Sequence, residues 1–391
     1  MRPLYASVAN NSPALDSTRN AGLWYDKFCD KWRTGLDKQS TGFEKWRTGW
    51  TLKGTDNESL KLAWIETVTR DKLGIPDLLF ESVTRLHQLA STRGGLYGVF
   101  KTDSRFVTGL GRNHPVENGF AWHPTLGVPY LPGSSIKGLV RAWAERERTA
   151  NLRAPAPDIE YLFGRANAPR SAGRVIFLDA IPIAPVQLEA DVITPHYAGW
   201  TPDEPPGDWR EPVPVPFLTV ASQTAVFFSL LPRGIEHSEL EIVFHWLRDA
   251  LPLAGAGAKT AVGYGRFAHD EQRTRALDDR INSARAARDA ADRRARLQGT
   301  PEGRWWEAIE GKPEHVVLDL VRKHLENQPL PDPAERRGLA RAVAATPYLA
   351  SWRRGETQDR RRIRDNPAKL KARAKLVDES LVEADPAPEP R

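Results

Sequence analysis

The chain of 391 residues contains a single cysteine, Cys29, and a single methionine, Met1. One cysteine excludes a disulfide framework and a cysteine-rich zinc site, and a lone thiol in a long chain fits a reducing compartment. No apolar run reaches the roughly 18 residues that a membrane span needs. The first residues also lack the apolar core of a signal peptide. We therefore expect a cytoplasmic protein without a membrane partner.

The histidine patterns that commonly hold metals are also missing. The chain has nine histidines, yet no two of them form a His-x-x-x-His or His-Glu-x-x-His pattern. The glycine-rich loop at 255–267 likewise lacks the glycine directly before the lysine that a nucleotide-binding Walker loop has. The sequence therefore predicts neither a metal site nor a cofactor.

The composition is that of a globular protein with a mild basic excess. Hydrophobic residues make up 40% and charged residues 27%, and the net charge is +6. The length favours two or three domains. The positive charge permits a polyanionic partner without demonstrating one.

Three regions differ in composition. Residues 1–95 are Trp-rich and partly helical, and they contain a near-repeat of Lys-Trp-Arg-Thr-Gly at 31–35 and 45–49, to which we assign no function. Residues 96–270 alternate strand and helix patterns. Residues 271–391 favour charged helices, carry a basic run at 353–375 and end in a Pro-rich tail that we expect to be disordered.

Periodicity predicts the main elements. A helix beginning at Pro76 has a 3.6-residue apolar stripe, formed by Leu78, Leu79, Val83, Leu86 and Leu89. Strands are predicted at 98–102, 105–108, 174–178, 225–231 and 263–267. Helices are predicted at about 134–148, capped by Ser134 or Ser135, and at 239–251. The predicted class is α+β, extended by C-terminal helices.

The first motif is the segment 129–141, which reads Pro-Tyr-Leu-Pro-Gly-Ser-Ser-Ile-Lys-Gly-Leu-Val-Arg. A Pro-Gly turn brings the chain into a helix start that carries two hydroxyls, Ser134 and Ser135. Lys137 and Arg141 follow, one turn apart. Backbone amides, hydroxyls and cations at the positive end of a helix can bind a phosphate. An ordinary capped helix start is the alternative.

The second motif is the segment 255–267, which reads Gly-Ala-Gly-Ala-Lys-Thr-Ala-Val-Gly-Tyr-Gly-Arg-Phe. It is not a Walker loop, since Ala258 precedes Lys259 and the loop runs from a helix into a strand. We interpret it as a flexible glycine loop that an RNA backbone can approach, with Lys259 and Arg266 as phosphate partners. Its other predicted contact residues are Gly255, Gly257, Thr260, Gly263 and Tyr264.

The two motifs together resemble the signature pair of the RAMP superfamily of CRISPR proteins. Within it, the sixth-subunit family of the Cmr (type III-B) complex is the most similar. The resemblance covers about residues 60–268, and its order is maintained throughout. Four further stretches support it: 106–111, 119–124, 173–180 and 191–197.

The resemblance implies a ferredoxin-like (RRM-like) domain whose glycine-rich loop lies against RNA. It implies a non-catalytic, RNA-binding subunit that caps the backbone filament near the 3′ side of the crRNA. The implied partners are crRNA, target RNA and other RAMP subunits of a type III CRISPR effector complex. The resemblance does not extend to the C-terminal 120 or so residues.

A catalytic function is the alternative. His196, with Asp191 and Tyr197, could form an acid–base site of a metal-independent endoribonuclease that processes precursor crRNA. A single histidine between proline and tyrosine in a loop is more often a hydrogen-bonded structural residue. Both functions stay open at this point, with RNA binding preferred.

Overall fold

The structure, a computed structural model, describes residues 15, 19–29, 60–114, 116–150, 158–165, 171–194 and 214–382. The near-repeat, His196, Tyr197 and the Pro-rich tail lie outside these residues. The chain forms two compact units, which are residues 1–278 (unit 1) and 279–391 (unit 2). Within the described ranges, no helix combines the length and apolarity that crossing a membrane requires.

The described residues of unit 1 contain nine strands and the first six helices. The strands are β1 (Leu96–Thr102), β2 (Asn113–His114), β3 (Glu117–Asn118), β4 (Val175–Phe177), β5 (Ile181–Pro182), β6 (Leu188–Ile193), β7 (Val215–Val220), β8 (Ala225–Pro232) and β9 (Phe267–His269). The helices are α1 (Ala21–Lys27), α2 (Leu60–Glu66), α3 (Pro76–Thr92), α4 (Gly133–Ala150), α5 (Ile159–Phe163) and α6 (His237–Leu253).

The central sheet has the strand order β4-β8-β1-β9, with β5 also paired to β8. All of these pairs are antiparallel. The ring of Phe100 in β1 contacts Phe244 of α6, while the ring of Tyr97 contacts His87 of α3 at 4.6 Å between centroids. Because residues an odd number apart on a strand point to opposite faces, helices cover β1 on both sides.

Helix α3 begins at Pro76, as the sequence predicts, but its buried face differs from the predicted one. The buried side chains are Leu79, Val83, His87 and Ala90. Leu89, which we placed on the stripe, is 39% exposed. The face is rotated because a polar residue is buried on it: His87 contacts the carboxylate of Asp278 at 2.9 Å.

Two predicted strands are corrected by the structure. The segment 105–108 makes a single bridge, between Phe106 and Val220, instead of a strand. The last strand lies at 267–269 rather than 263–267. Gly263 and Gly265 have φ angles of 98° and 70°, in the left-handed region, which an extended strand excludes.

A separate two-stranded ribbon is formed by β6 and β7, with Asp191 opposite Phe217. Alternate positions of the ribbon, such as Leu188 and Leu218, belong to the hydrophobic core of unit 1. The ribbon is therefore fixed by its apolar face, and its other face carries Glu189 and Asp191.

Unit 2 is helical. Its elements are most of α7 (Glu271–Leu297), then α8 (Pro301–Ile309), α9 (Glu314–Val321) continued by a π-helical segment (Arg322–Asn327), α10 (Pro333–Ala344), α11 (Tyr348–Arg354) and α12 (Pro367–Val382). Helices α8 to α12 bury a core of their own, which includes the fully buried Trp352. The basic run 353–375 extends from the end of α11 into α12.

Candidate nucleic-acid interface

Both sequence motifs are hydrogen-bonded to the segment 105–108, which precedes them in the sequence. The carbonyl of Val107 accepts a hydrogen bond from the Ala258 amide of the glycine loop at 2.7 Å. The hydroxyl of Thr108 donates to the carbonyl of Tyr130, in the turn before α4, at 3.1 Å. Motifs more than 100 residues apart are thus attached to one short segment.

Helix α4 is capped by a residue that the sequence did not reveal. The helix begins at Gly133, so Ser134 and Ser135 lie exposed in its first turn and the predicted serine cap is wrong. The carboxylate of Asp179 accepts from the Gly133 amide at 2.7 Å instead. A Cβ at Gly133 would collide with the carbonyl of Phe177, which explains the glycine.

The two cations of the first motif have different environments. Arg141 donates to the carboxylate of Glu145 at 2.9 Å and to the carbonyl of Gly164 at 3.2 Å. Lys137 is half-buried and has no side-chain partner among the residues that the structure describes. Of the two, Lys137 is available to an external phosphate, while Arg141 braces the fold.

The glycine loop is held by its own backbone. The Ala256 amide donates to the carbonyl of Gly265 at 2.8 Å, and the Gly265 amide donates to the carbonyl of Arg105 at 2.7 Å. A Cβ at Gly257 would collide with the carbonyl of Val107. We expected Gly257 to make the loop flexible. In the structure, the absence of a side chain at Gly257 makes room for the backbone carbonyl of Val107 instead. Gly263 has no other atom within 4 Å of its Cβ position.

Arg266 satisfies the carbonyls at the end of α6. Its guanidinium donates to the carbonyls of Leu253 and, at 3.2 Å, of Thr260. The last carbonyls of a helix have no intrahelical donors, so a cation there is stabilising. The structure thus gives Arg266 a bracing role inside the loop.

The glycine loop joins the β6–β7 ribbon in a group of polar residues that we call the Asp191 cluster: Arg105, Glu189, Asp191 and Tyr264. Arg105 donates to Glu189 at 2.6 Å and to Asp191 at 2.7 Å. The Tyr264 hydroxyl donates to Asp191 at 2.5 Å. Arg105 was not predicted as a site residue. The spacing of Glu189 and Asp191 was a usable signal, since residues two apart on a strand share a face.

Lys259 lies beside this cluster. Its backbone is left-handed, with φ 58°, and its ammonium group is 5.3 Å from the centroid of the Phe217 ring. A cation over an aromatic face is stabilised by about 0.5–1 kcal/mol at a partly exposed site. That contact leaves the ammonium free to donate a hydrogen bond to a phosphate as well.

Hydrogen bonding keeps Asp191 ionised. Burial alone would raise the pKa of Asp191, but hydrogen bonds from Tyr264, from the Val192 amide and from Arg105 lower it below its usual value. Burial, and then the neighbouring Asp191, raise the pKa of Tyr264 to about 12. A general acid or base needs a pKa near the working pH, so that it can gain and lose a proton. Neither Asp191 nor Tyr264 meets that requirement near neutral pH.

Two histidines within the region 60–268 that resembles the RAMP superfamily, His114 and His123, are neutral structural residues. Burial lowers the pKa of His114 to about 4, and its ring stacks on Tyr25 at 4.5 Å between centroids. Burial also lowers the pKa of His123, whose Nδ1 accepts from the Leu126 amide at 3.3 Å. In the described part of the chain, no three His, Cys, Asp or Glu side chains are grouped to hold a metal ion.

Replacing Asp191 with asparagine is expected to remove an acid-sensitive part of the stability. The folded pKa of Asp191 is lowered, so its contribution is present above the unfolded value of about 3.9 and is lost as pH falls through the folded pKa. We expect a loss of about 1–2 kcal/mol at pH 7 and almost none near pH 2. Urea denaturation at both pH values measures this. Asp71→Asn, at an exposed carboxyl, is the control, and an equal loss at both pH values would contradict the assignment.

Comparison with known proteins identifies the family. The model of the RAMP superfamily matches residues 99–268. The CRISPR system Cmr subunit Cmr6 of Pyrococcus furiosus is 30% identical in a match of 259 aligned positions that covers 50% of this chain and 75% of that protein. This chain belongs to the Cmr6 family of the RAMP superfamily.

The match to this RAMP family confirms the resemblance stated from the two motifs. A second Cmr6, from Saccharolobus solfataricus, is 33% identical over 156 residues, covering 39% of this chain and 48% of that protein. A chain in a cryo-EM structure of a type III-B Cmr-beta complex bound to cognate target RNA is 23% identical, with a TM-score of 0.42, covering 61% of this chain and 84% of that chain. The RAMP match ends at residue 268, just before α7.

Proposed function

We propose that this chain is a non-catalytic subunit of a type III-B CRISPR effector complex and that it binds the crRNA through phosphate contacts. The observation that carries the proposal is the relationship to a protein named as a subunit of the CRISPR system Cmr. The proposal includes a position that caps the backbone filament near the 3′ side of the guide, with other RAMP subunits and target RNA as neighbours.

The proposed domain type is ferredoxin-like. In chain order the elements β1, α4, β4, β8, α6 and β9 form a βαββαβ sequence. Their spatial order, β4-β8-β1-β9, places each split βαβ connection across one intervening strand. This order supports the ferredoxin-like interpretation, with the β6–β7 ribbon inserted between β5 and β8.

Loops rather than the open sheet are the proposed RNA contact. Helices cover β1 on both faces, which disfavours stacking of bases on that strand. Lys137 and Lys259, one in each motif, have ammonium groups free of ion pairs within the described chain. A guide varies in sequence, so contacts to its phosphates suit this role better than contacts to its bases.

Co-expression with the RAMP proteins encoded nearby tests the assembly. We expect a stable complex that elutes as one species and contains crRNA. A chain that stays monomeric and free of RNA beside its candidate partners would contradict the proposal.

The non-catalytic part of the proposal is supported by the state of Asp191. Its carboxylate is engaged by Arg105 and Tyr264, and its lowered pKa makes it a poor proton donor near pH 7. Incubating the protein with labelled precursor crRNA in EDTA is the test. Specific cleavage products that are lost on replacing His196 with alanine would favour the endoribonuclease instead.

The four predicted phosphate contacts are expected to separate into two classes. Lys137→Ala and Lys259→Ala should each lower the salt slope of RNA binding by about 0.7, for unrelated RNA sequences alike. Their stability should stay within about 1 kcal/mol of the wild type, which allows for the cation–π contact that Lys259 loses. Arg141→Ala and Arg266→Ala should instead destabilise the fold by about 1–2 kcal/mol, since carbonyls lose their donor. Fluorescence anisotropy across a salt series and thermal unfolding measure the two effects. Unchanged slopes in both lysine variants would count against the loop contact.

A further inference from the structure

A second basic surface lies in unit 2, away from both motifs in the sequence. We call it the Arg360 surface, and it consists of Arg360, Arg361, Arg364, Lys369 and Lys371. All five side chains are exposed, and none has an ion-pair partner among the described residues. Other cations of the basic run are already used: Arg353 pairs with Asp378, and Arg354 with Glu356. The basic run therefore contains cations that form ion pairs with carboxylates and, in the Arg360 surface, cations that form none within the described residues.

The acidic residues of the same segment are occupied by inward-pointing groups. Asp365 binds the buried Arg373 and lies 3.3 Å from the guanidinium of Arg322. Asp359 lies 3.4 Å from Nδ1 of His315. Neither carboxylate pairs with a cation of the Arg360 surface, which therefore keeps an excess of positive charge.

A buried carboxylate fixes the loop that carries the arginines. Glu314 is 3% exposed, and its Oε2 accepts from the Thr357 hydroxyl at 2.9 Å, from the Gln358 amide at 2.8 Å and from the Asp359 amide at 2.9 Å. Ile363 is buried within the same segment. A loop fixed before binding loses less conformational entropy when its side chains contact a ligand.

The end of this segment is fixed as well, by the start of α12. The side chain of Asn366 accepts from the Lys369 amide at 2.9 Å, as an N-cap does. Leu370 is buried between Lys369 and Lys371. The two lysines therefore project from an anchored first turn.

We propose that the Arg360 surface is a second RNA-binding site, which holds the phosphates of single-stranded RNA. Guanidinium groups bind phosphate oxygens in a bidentate manner, and the surface carries three of them on a fixed loop. Its larger apolar side chains, Ile363 and Leu370, are buried. A protein interface needs an apolar centre, so the exposed surface suits a polyanion better than a protein partner. The site shares no residue with the glycine loop.

The test is RNA binding by the full-length chain with Arg360, Arg361 and Arg364 replaced by alanine. Three lost phosphate contacts should lower the salt slope by about 2 and weaken binding about a hundredfold at 0.1 M salt. The charge-matched control replaces three exposed arginines that are already ion-paired: Arg85, Arg275 and Arg285. Both triple variants lower the net charge from +6 by the same amount. A site at the Arg360 surface predicts a large effect in the first variant and a small one in the control.

Glu314→Gln separates fixed geometry from simple charge. The change removes one negative charge, so charge alone predicts equal or tighter RNA binding. The amide nitrogen of glutamine cannot accept from the loop amides, so a loosened loop predicts weaker binding. Circular dichroism of the variant must retain the helical signal of the wild-type protein; a weaker affinity with that signal intact supports the proposal.

Three outcomes would overturn the proposal. One is equal RNA affinity and salt slope in the triple variant and the wild type. Another is an equal loss in the triple variant and its control, since that would show only the effect of net charge. The third is unchanged RNA binding with loss of a partner subunit, which would assign the surface to an acidic protein. If the lysine variants of the loops have no effect while the triple variant does, the loop contact fails and this site stands.

Discussion

Gly257→Val is expected to destabilise unit 1 by about 4 kcal/mol. Its φ angle is 89°, which a β-branched residue rarely adopts, and a Cβ would collide with the carbonyl of Val107. That carbonyl also accepts the Ala258 amide, so moving it would break the attachment of the loop. Urea denaturation, with hydrogen exchange to locate the lost protection, measures the effect.

Two other glycines serve as controls for this substitution. Gly263→Ala places its Cβ in open space but keeps a φ of 98°, so about 1 kcal/mol of backbone strain is expected. Gly138→Ala, exposed within α4 with nothing within 4 Å of the new Cβ, should stabilise the protein by about 0.5–1 kcal/mol. If all three variants keep wild-type stability and only Gly257→Val loses RNA, the glycine serves the RNA and not the fold.

Glu314→Ala is expected to destabilise unit 2 by about 4 kcal/mol. The carboxylate accepts from Nε1 of the fully buried Trp352 at 2.7 Å, and from Thr357, Gln358 and Asp359. Removing it takes the acceptor from the buried Trp352 indole and from two half-buried loop donors, the Thr357 hydroxyl and the Gln358 amide. The Asp359 amide keeps the Thr357 hydroxyl oxygen as an acceptor at 3.1 Å. Hydrogen exchange should show lost protection in α9, α11 and the loop between α11 and α12.

An exposed carboxylate provides the comparison for Glu314. The carboxylate of Glu356 pairs with Arg354, and both side chains are more than half exposed. Glu356→Ala should change stability by less than about 0.5 kcal/mol, as exposed ion pairs do. Equal effects of the two substitutions would show that Glu314 does not organise unit 2.

Much of the architecture could be predicted because its signals are local. Pro76 starts α3 as predicted, and the amphipathic period at 239–251 falls within α6. The two motifs were sufficient to indicate the RAMP family. Their residue types, which include a Pro-Gly turn and alternating glycines, are dictated by backbone geometry within a few residues.

The site could be predicted only in part, because its partners are remote in the sequence. Arg105 and Asp191 are separated by 86 positions, and Gly133 and Asp179 by 46. No local pattern states that an aspartate after β4 caps α4, or that Arg266 binds the carbonyls at the end of α6. Such pairings depend on which surfaces the fold brings together.

The sequence by itself determined the α+β character, the family and the four cations that we predict to contact RNA. Only the tertiary structure decided which of those cations are free. Arg141 and Arg266 donate to carbonyls of neighbouring segments, whereas Lys137 and Lys259 make no such bond in the described chain. The physical reason is that buried carbonyls and carboxylates take up the nearby cationic donors first, because an unsatisfied buried acceptor is costly. Which cations lie near such acceptors depends on how distant parts of the chain pack together.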